Sequence, residues 1–567
     1  MSPTPDPLLS LVPETLHKTV SHYWQDWSAA CENPDRIPPT ELPVTGKIWA
    51  CSEFVARLCI RRPELLSGLF NEGVEQKRSA ADYQRLVADT IDSAEPGDEE
   101  LMHALRRLRQ QEMMRIAWRD LAGLAGVEQV LYELSDFAEA MIMQTLDHLY
   151  QQTTETLGTP VNAEGDAQQM LVLAMGKLGG RELNFSSDID LIFAYAEEGS
   201  TVGGRRLSNH EFFLRLARKL VRALDEITQD GFVFRVDTRL RPNGDSGPMA
   251  MNFNAMEQYY QLQGRDWERY AMIKAKIVGG TEDDRRYLAS MLRPFTYRRY
   301  LDFGAFESIR EMKGMIEAEM RRKSMQHNIK LGRGGIREIE FIGQTFQLIR
   351  GGPVPELQVR SILRVLSLLV DLGYLEQQES EDLRQSYLFL RKLENRLQME
   401  RDQQTQVLPT DELSRERIRL GMGFDSWDAL MQTLDRHRES VSRIFDSVIA
   451  SEEQPETDSI HALQLFWSDD QIREDLSHWL EQAGCDDCGE VLDVLAVFRK
   501  SARILALSED GVRRLQQLLL KLLKQLVVYQ DPLQLLNRVL EILSALSLIH
   551  ISEPTRLDLA SRMPSSA

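Results

Sequence analysis

The chain has 567 residues, a formal net charge of −20 and five cysteines. This length is too great for one hydrophobic core and is typical of about three or four domains. The acidic balance argues against strong affinity for nucleic acid or an anionic membrane, because binding to phosphate groups requires clustered Lys and Arg. So few cysteines provide no disulfide framework and fit a reducing compartment.

The sequence contains no targeting or membrane signal of the usual kinds. Runs of about eighteen apolar residues are absent, and the first residues lack the charged and apolar regions of a signal peptide. We therefore expect a cytoplasmic protein that contacts neither nucleic acid nor membrane. A nucleotide-handling enzyme with a protein or small-molecule substrate fits this composition better.

The first part of the chain is predicted to be helical, and we expect a helical domain over residues 1–152. Apolar residues recur at helical spacing between Leu101 and Leu121. Several arginines are predicted to occupy the remaining surface of this helix, as solvated or acid-paired groups or as a docking surface for a substrate: Arg106, Arg107, Arg109, Arg115 and Arg119.

The next stretch, Leu171 to Phe193, carries the first functional signal. Leu171 to Met175 predicts a short strand, and a glycine-rich turn follows it. Asp188 and Asp190 then open a second apolar run. Because side chains alternate across a strand, the spacing of two places both carboxylates on one face.

Such a pair of carboxylates is suited to hold Mg²⁺, which prefers oxygen ligands and often shares them with substrate phosphates. The glycines permit backbone N–H groups to approach a phosphate at a helix N-terminus. The segment is neither a P-loop nor a Rossmann fingerprint, because Lys177 precedes Leu and no Gly-x-Gly-x-x-Gly occurs.

A third carboxylate follows further along the chain. An amphipathic helix is predicted from Asn209 to Ile227, and Phe232 to Pro242 predicts a strand with Asp237 in its middle. Three aspartates on adjacent strands can hold two Mg²⁺ ions. Arg239 and Arg241 are predicted to share the face of Asp237, where they bind phosphate or, alternatively, form salt bridges to the aspartates.

A Gly-Gly pair followed at short distance by Asp-x-Asp, with a third carboxylate on a later strand, resembles the signature of polymerase-β-like nucleotidyltransferases. The alternative is an ordinary strand edge with solvated aspartates. The resemblance implies an α+β, mostly helical fold, in which a nucleotidyltransferase domain with a small mixed sheet, residues 153–300, is flanked by helical-bundle domains.

The stretch GRDWERYAMIKAKIVGG predicts another helix. A second glycine-rich segment precedes a further predicted helix, and we expect a helical bundle over residues 301–450. Charged residues around this segment are predicted to lie at the edge of the active cleft: Lys330, Arg337, Glu338 and Glu340. Stabilisation by the helix dipole explains Glu338 equally well.

The last part of the chain comprises an acidic linker, residues 451–459, and helices over residues 460–545. The wide apolar face of these helices requires a partner surface. Leu546 to Arg556 matches one reading frame of a transposon-end sequencing adapter. We therefore expect residues 546–567 to be a non-native tail.

Four motifs narrow the resemblance from a broad superfamily to one family. They are AMGKLGGRELNFSSDIDLIF, QDGFVFRVDTRLRP, YYQLQGRDWERYAMIKA and NIKLGRGGIREIEFIGQTFQLIRGG. Together they resemble the N-terminal half of the bifunctional glutamine synthetase adenylyltransferase/adenylyl-removing family. One motif set is present, followed by what resembles the start of the family's helical regulatory segment.

The resemblance implies the reaction. The N-terminal half resembles the adenylyl-removing activity, in which phosphate attacks the α-phosphorus of an adenylylated tyrosine on glutamine synthetase and releases ADP. Implied partners are adenylylated glutamine synthetase, the PII signal protein, phosphate and ADP or ATP. Adenylyl transfer from ATP and a non-catalytic regulatory fragment are the alternatives.

The resemblance also implies roles for individual residues. Asp188, Asp190 and Asp237 are the expected ligands of two Mg²⁺ ions. Other residues are expected to bind the nucleotide or phosphate: Lys177, Gly179, Gly180, Ser186, Ser187, Arg239 and Arg241.

Overall fold

A computed structural model describes residues 4–31, 37–71, 73–297 and 327–451, together with parts of 463–545. The chain forms two compact units, Met1–Phe445 and Asp446–Ala567. The boundaries predicted at residues 152, 300 and 450 stay predictions. Almost all of the predicted linker and the whole tail at 546–567 lie outside the described residues.

The first unit begins with helices, as predicted. Ser52 and Ser79 begin two of them, each with a side-chain oxygen that accepts a hydrogen bond from the first turn. The helices are α1 Asp6–Leu9, α2 Glu14–Ala30, α3 Leu42–Cys51, α4 Glu53–Arg61, α5 Glu64–Asn71, α6 Ala80–Asp92, α7 Asp98–Leu121 and α8 Val127–Leu157.

Most of the arginines of α7 are buried, so the prediction of a solvated face is wrong, whereas the prediction of acid-paired groups is confirmed for Arg109 and Arg115. The helix packs against α4, α6 and α8, so it has little free surface. Arg115 pairs with Glu133 at 2.6 Å, and Arg109 pairs with Asp402 at 2.7 Å. These arginines therefore connect parts of the fold through paired charges and do not form a solvated face.

A small mixed sheet follows, which confirms the predicted α+β, mostly helical class. Its order is β5-β3-β2-β7, and β6 pairs with the far end of β3. β3 is parallel to β5 and β6, whereas β2 is antiparallel to β3 and β7. A separate pair joins β1 and β4. The strands are β1 Thr159–Val161, β2 Met170–Ala174, β3 Asp188–Tyr195, β4 Ser200–Val202, β5 Arg235–Asp237, β6 Ala250–Asn252 and β7 Lys276–Gly279.

The sheet separates two hydrophobic cores, because alternate side chains of its central strands point to opposite faces. Val172 and Phe193 belong to the core shared with α8 and α10, whereas Leu173 and Ile192 belong to the core shared with later helices. The helices packed around the sheet are α9 Gly176–Gly179, α10 Asn209–Asp225, α11 Phe253–Leu262, α12 Asp266–Met272 and α13 Glu282–Thr296.

Two predicted elements are wrong in extent. The strand expected over 232–242 is limited to Arg235–Asp237. It ends there because Arg241 N–H bonds to the Thr238 carbonyl and Asn243 adopts φ 62°, which closes a turn. Arg239 and Arg241 therefore lie in a turn and not on a strand face.

The second error concerns the helix predicted over GRDWERYAMIKAKIVGG. It ends at Met272, and β7 then pairs with β2 at the sheet edge. The β-branched residues Ile277 and Val278 favour this extended conformation. Gly279 and Gly280 end the strand with φ of 75° and 61°.

The longer elements in the remainder of the described chain are helices, joined by turns and loops. In the first unit they are α14 Ile336–Arg350, α15 Ile362–Asp371, α16 Gln377–Met399 and α17 Glu412–Met422, and α18 Trp427–Ser451 begins in this unit. In the second unit they are α19 Glu474–Gln482, α20 Cys488–Arg499, α21 Ala502–Leu505 and α22 Pro532–Ala545. Of the helices described, none is both long and apolar enough to cross a membrane.

Candidate active site at the start of strand β3

Asp188 and Asp190 begin β3 on the same face of the sheet, as predicted. Both are partly exposed, while Ile189 between them is fully buried. They share their face with Ile192, which belongs to the core on the α11 and α13 side. The strand alternation thus directs the two carboxylates to one side of the sheet.

Asp237 lies beside this pair. β5 runs parallel to β3, and the register places Asp237 directly opposite Asp190. Burial, with the neighbouring charges of Asp188 and Asp237, raises the pKa of Asp190 to about 6. The three aspartates therefore act on one another electrostatically, although Asp237 is far from the others in sequence.

Arg239 forms an ion pair with Asp237 within the turn after β5. Its Nε donates to both carboxylate oxygens, at 3.0 Å and 2.9 Å. These bonds lower the pKa of Asp237. The alternative prediction, a salt bridge to an aspartate, is therefore realised for Arg239, whose side chain is nevertheless 72% exposed.

Arg241 has a different environment. Its Nη1 donates to the Thr238 carbonyl at 2.8 Å, and its Nε donates to the Gly247 carbonyl at 3.2 Å. The residue is buried. These contacts stabilise the turn, and they direct the guanidinium to the backbone of that turn.

Gly176, the first glycine of the glycine-rich turn, lies directly beside Asp190. Gly176 adopts φ 55°, and a Cβ at this position would lie 2.9 Å from Oδ2 of Asp190. A side chain there would enter the space beside the carboxylate. The signal available in the sequence was the first glycine of GKLGG.

Gly179 and Gly180 differ from Gly176, because a Cβ added at either position would contact residues other than the aspartates. A Cβ at Gly179 would lie 1.9 Å from the Lys274 carbonyl oxygen. At Gly180 it would lie 3.1 Å from a carboxylate oxygen of Glu182. These glycines permit close approach of the segments around Lys274 and Glu182.

Lys177 is mostly buried, with 12% of its side chain exposed, in a polar contact between the turn and α16. Its Nζ donates to Oε1 of Glu394 at 2.8 Å and to Oδ1 of Asn184 at 2.7 Å. Burial lowers the pKa of Lys177 to about 7, against the opposite effect of Glu394. Its ammonium is thus engaged by protein groups.

Ser186 is also engaged by the protein. Its hydroxyl and its carbonyl accept hydrogen bonds from Nη2 of Arg235, at 2.9 Å and 3.0 Å. Ser187, partly exposed, directly precedes Asp188. Of the two serines, Ser187 has the position better suited to contact a ligand at the aspartates.

The second glycine-rich segment contributes Lys330 to the site. Its ammonium lowers the pKa of Asp190, in opposition to burial and the other aspartates. Glu338 is buried and accepts a hydrogen bond from Gly334 N–H at 3.0 Å, consistent with a role at the start of α14. The backbone N–H of Arg337 donates to the Lys330 carbonyl.

Glu340 belongs to a group of paired charges that we name the buried ion cluster. Lys274 donates to Glu340 at 2.6 Å and to Glu182 at 2.8 Å. Against the effect of burial, Lys274 lowers the pKa of Glu340 to about 2. The cluster comprises Lys177, Glu182, Lys274, Glu340, Arg391 and Glu394.

Residues of α16 and the loop after it reach the site and were missed in the sequence. Gln404 Nε2 donates to Oδ1 of Asp188 at 3.0 Å. Asn395 and Gln398 accept hydrogen bonds from the backbone just before Asp188. These residues lie more than 200 positions after Asp188 and occur in no recognisable motif, so no local signal identified them.

The three aspartates fit a hard divalent cation in their chemistry, because all their donors are carboxylate oxygens and Gly176 leaves room beside Asp190. Among the residues that the structure describes, no group of three or more His, Cys, Asp and Glu side chains has the arrangement of a metal site. The carboxylate of Asp237 faces Arg239 instead. Joint coordination would require Asp237 to exchange this partner for a cation.

Comparisons with known proteins agree with the motifs. A family model described as glutamate-ammonia ligase adenylyltransferase matches residues 44–290, and one described as GlnD PII-uridylyltransferase matches residues 310–449. The first of these matches contains the aspartates and the glycine-rich turn.

Two curated relatives, from Nitrosococcus oceani and Thioalkalivibrio sulfidiphilus, are each named bifunctional glutamine synthetase adenylyltransferase/adenylyl-removing enzyme. The first is 48% identical over 88% of this chain and 52% of its own length. The second is 42% identical over 96% of this chain and 57% of its own length. The chain spans about half the length of these relatives. The resemblance found in the motifs is thus confirmed, and the chain is a homologue of the bifunctional glutamine synthetase adenylyltransferase/adenylyl-removing enzymes.

Proposed function

We propose that this chain removes AMP from an adenylylated tyrosine of glutamine synthetase by phosphorolysis. An oxygen of inorganic phosphate forms a bond to the α-phosphorus, and the bond from that phosphorus to the tyrosine oxygen breaks. The products are ADP and an unmodified tyrosine. The names of both relatives, which include adenylyl removal, support this proposal.

The parallel register of β3 and β5 is the observation that carries the proposal. It places Asp237 opposite Asp190, with Asp188 on the same face two residues away. Three carboxylates gathered at a strand edge suit chemistry at a phosphoryl group, where cations neutralise developing charge.

Asp188, Asp190 and Asp237 would hold the metal, which we propose to be two Mg²⁺ ions. When bound, the ions supply positive charge at the phosphoryl group. The tyrosine oxygen leaves without a strong general acid, because a phenol with a pKa of about 10 is a tolerable leaving group.

The incoming phosphate requires cationic groups that are accessible. Arg239 is the stronger of the two arginine candidates, because its guanidinium is exposed beside Asp237 while Arg241 is buried in its turn. Lys330 is a second candidate, since its charge already acts on Asp190. We propose that Ser187 also contacts the phosphate. Gly179 and Gly180 do not fit the predicted phosphate-binding role, because their N–H groups donate to the Met175 and Gly176 carbonyls.

One assay tests the reaction. The purified chain is incubated with adenylylated glutamine synthetase, Mg²⁺ and phosphate, and ADP is measured. Formation of ADP that depends on phosphate is expected. Activity only with ATP and unmodified synthetase would instead show adenylyl transfer, the alternative that the relatives' names also support.

A variant decides between catalysis and mere binding. Asp188→Asn is expected to bind the synthetase and release no ADP above background. If the variant and the parent both bind without turnover, the chain is a non-catalytic regulatory fragment. Release of ADP at the parent rate would contradict the assignment of the metal site.

We also propose the PII signal protein as a regulatory partner. The support is the match of residues 310–449 to a family model named for a PII uridylyltransferase. Titration of the chain with uridylylated and unmodified PII, followed by calorimetry, tests the proposal. Absence of binding to both forms would refute it.

A further inference from the structure

We infer that the C-terminal end of α16 and the loop after it form a positioning clamp for the catalytic aspartates, with Gln398 at its centre. The clamp comprises Asn395, Gln398 and Gln404. The inference rests on the proposed function of the aspartate site. It assigns these residues the placement of Asp188 and no contact with substrate.

The segment just before Asp188 requires such support. Residues 181–187 lie between α9 and β3 and form neither helix nor strand, so their backbone groups lack partners in secondary structure. Buried backbone N–H groups are costly when they have no partner. The N–H groups of Arg181 and Glu182 donate to carbonyls of the preceding turn. Those of Leu183, Phe185 and Ser186 donate to side chains elsewhere in the fold.

Gln398 and Asn395 supply these partners from α16. Oε1 of Gln398 accepts from Ser186 N–H at 2.8 Å and also from the side chain of Asn184. Oδ1 of Asn395 accepts from Phe185 N–H at 3.1 Å. Both α16 side chains are fully buried, so these bonds are shielded from competition with water.

Gln398 also contacts the loop that follows α16. Its Nε2 donates to the Thr405 carbonyl at 3.4 Å. The preceding residue, Gln404, donates to Oδ1 of Asp188 at 3.0 Å. Asp188 is thus positioned in two ways, by hydrogen bonds to the backbone before it and by a hydrogen bond to its own carboxylate. Gln398 takes part in both, because it contacts Ser186 and the loop that contains Gln404.

These two sets of hydrogen bonds restrict the direction of the Asp188 carboxylate. Partners that orient a metal-binding side chain affect the affinity for the ion, and their loss typically costs about 10- to 100-fold. The clamp should therefore set the affinity of the site for a divalent cation. This property can be measured with the protein alone.

The first test uses an exposed member of the clamp. Gln404→Ala is expected to weaken Mn²⁺ binding, measured by electron paramagnetic resonance of the free ion, by roughly tenfold. Gln403→Ala is the matched control, because it removes a neighbouring exposed glutamine without a bond to Asp188. The control should bind Mn²⁺ as the parent does.

The second test changes the centre of the clamp. Gln398→Met keeps the side-chain length but removes both the acceptor and the donor, whereas Gln398→Glu retains the acceptor oxygen and loses only the donor to Thr405. We expect Gln398→Met to weaken Mn²⁺ binding roughly 10- to 100-fold and Gln398→Glu to recover part of the affinity. In turnover, kcat should fall for Gln398→Met while KM for the modified synthetase stays near the parent value.

Parent-like Mn²⁺ affinity in Gln404→Ala would overturn the inference, whether or not Gln398→Met folds. Parent-like affinity in a folded Gln398→Met would overturn it as well. Because Mn²⁺ binding is measured without substrate, a chain that binds Mn²⁺ with the expected differences but never releases ADP would refute the proposed function and leave the clamp supported.

Discussion

Two groups of charged side chains are arranged in opposite ways. One is the three aspartates at the start of β3 and on β5, here called the aspartate edge, and the other is the buried ion cluster. At the edge, burial and the like charges of Asp188 and Asp237 raise the pKa of Asp190, whereas in the cluster Lys274 lies between Glu182 and Glu340. Like charges held together raise the free energy of the fold and suit a cation. Opposite charges held together connect the sheet to α14 and α16. We therefore expect substitutions at the edge to change function and substitutions in the cluster to change stability.

The largest expected effect is on turnover. Asp190→Asn should lower the rate of ADP release roughly 10³-fold, because one metal ligand is lost, a deficit comparable to removing a key electrostatic group from an active site. Its free energy of unfolding should stay equal or rise by up to about 1 kcal/mol, because repulsion is relieved. Phosphate-dependent ADP release and urea denaturation measure the two quantities.

The control for this variant is Asp245→Asn, which changes an exposed carboxylate in the turn after β5. It should alter neither quantity appreciably. A loss of stability above about 2 kcal/mol in Asp190→Asn would show that the aspartate edge is structural like the cluster, and the comparison would fail.

The next effect concerns the cluster. Glu394→Gln should lower the free energy of unfolding by about 3 to 5 kcal/mol, because Lys177 and Arg391 lose their shared buried partner. Lys177→Met should cost less, since burial already disfavours the charged form of Lys177 and Glu394 keeps Arg391. Urea denaturation of both variants measures the difference. Equal losses would contradict this account.

Acid should weaken the cluster in a defined range. The pKa of Glu340 in the folded chain is about 2, below its ordinary value of 4.5. Its contribution to stability is therefore complete above about pH 4.5 and is lost as the pH falls toward 2, by up to about 3 kcal/mol. Urea denaturation at several pH values should show this loss. Glu340→Gln should be less stable near neutral pH and show a smaller pH dependence; an unchanged slope would refute the assignment.

The smallest effect should follow from Gly176→Ala. Left-handed backbone at a non-glycine residue costs about 1 to 2 kcal/mol, and the added Cβ would crowd Asp190. Thermal denaturation and Mn²⁺ affinity should both report a loss. Gly68→Ala is the comparison, because Gly68 lies within α5 and an added Cβ there would have no atom within 4 Å. A larger loss in Gly68→Ala would contradict this interpretation of the turn.

Much of the architecture was predictable from periodicity. The apolar runs at 171–175 and 191–193 form the paired strands β2 and β3, and the spacing of Asp188 and Asp190 correctly predicted one shared face. Short edge elements were harder, because β5 and β7 hold only three or four residues each and depend on pairing with β3 and β2. In so short a strand the preference of one or two residues for extended backbone is weak, so the neighbouring strand determines where the strand ends.

The candidate site likewise contains some features that the local sequence predicted and others that it did not. The sequence by itself determined the residue types and local order of the site: two aspartates at a strand start, a third on a later strand, and a turn rich in glycine. Only the tertiary structure decided that Arg239 pairs with Asp237, that Lys177 and Glu340 lie in buried ion pairs, and that Gln398 and Gln404 hold the segment of Asp188. The physical reason is the separation along the chain over which each property is determined. Alternation along a strand is set by neighbouring residues. The partner of a buried charge or backbone amide is set by the distant helix that packs against it.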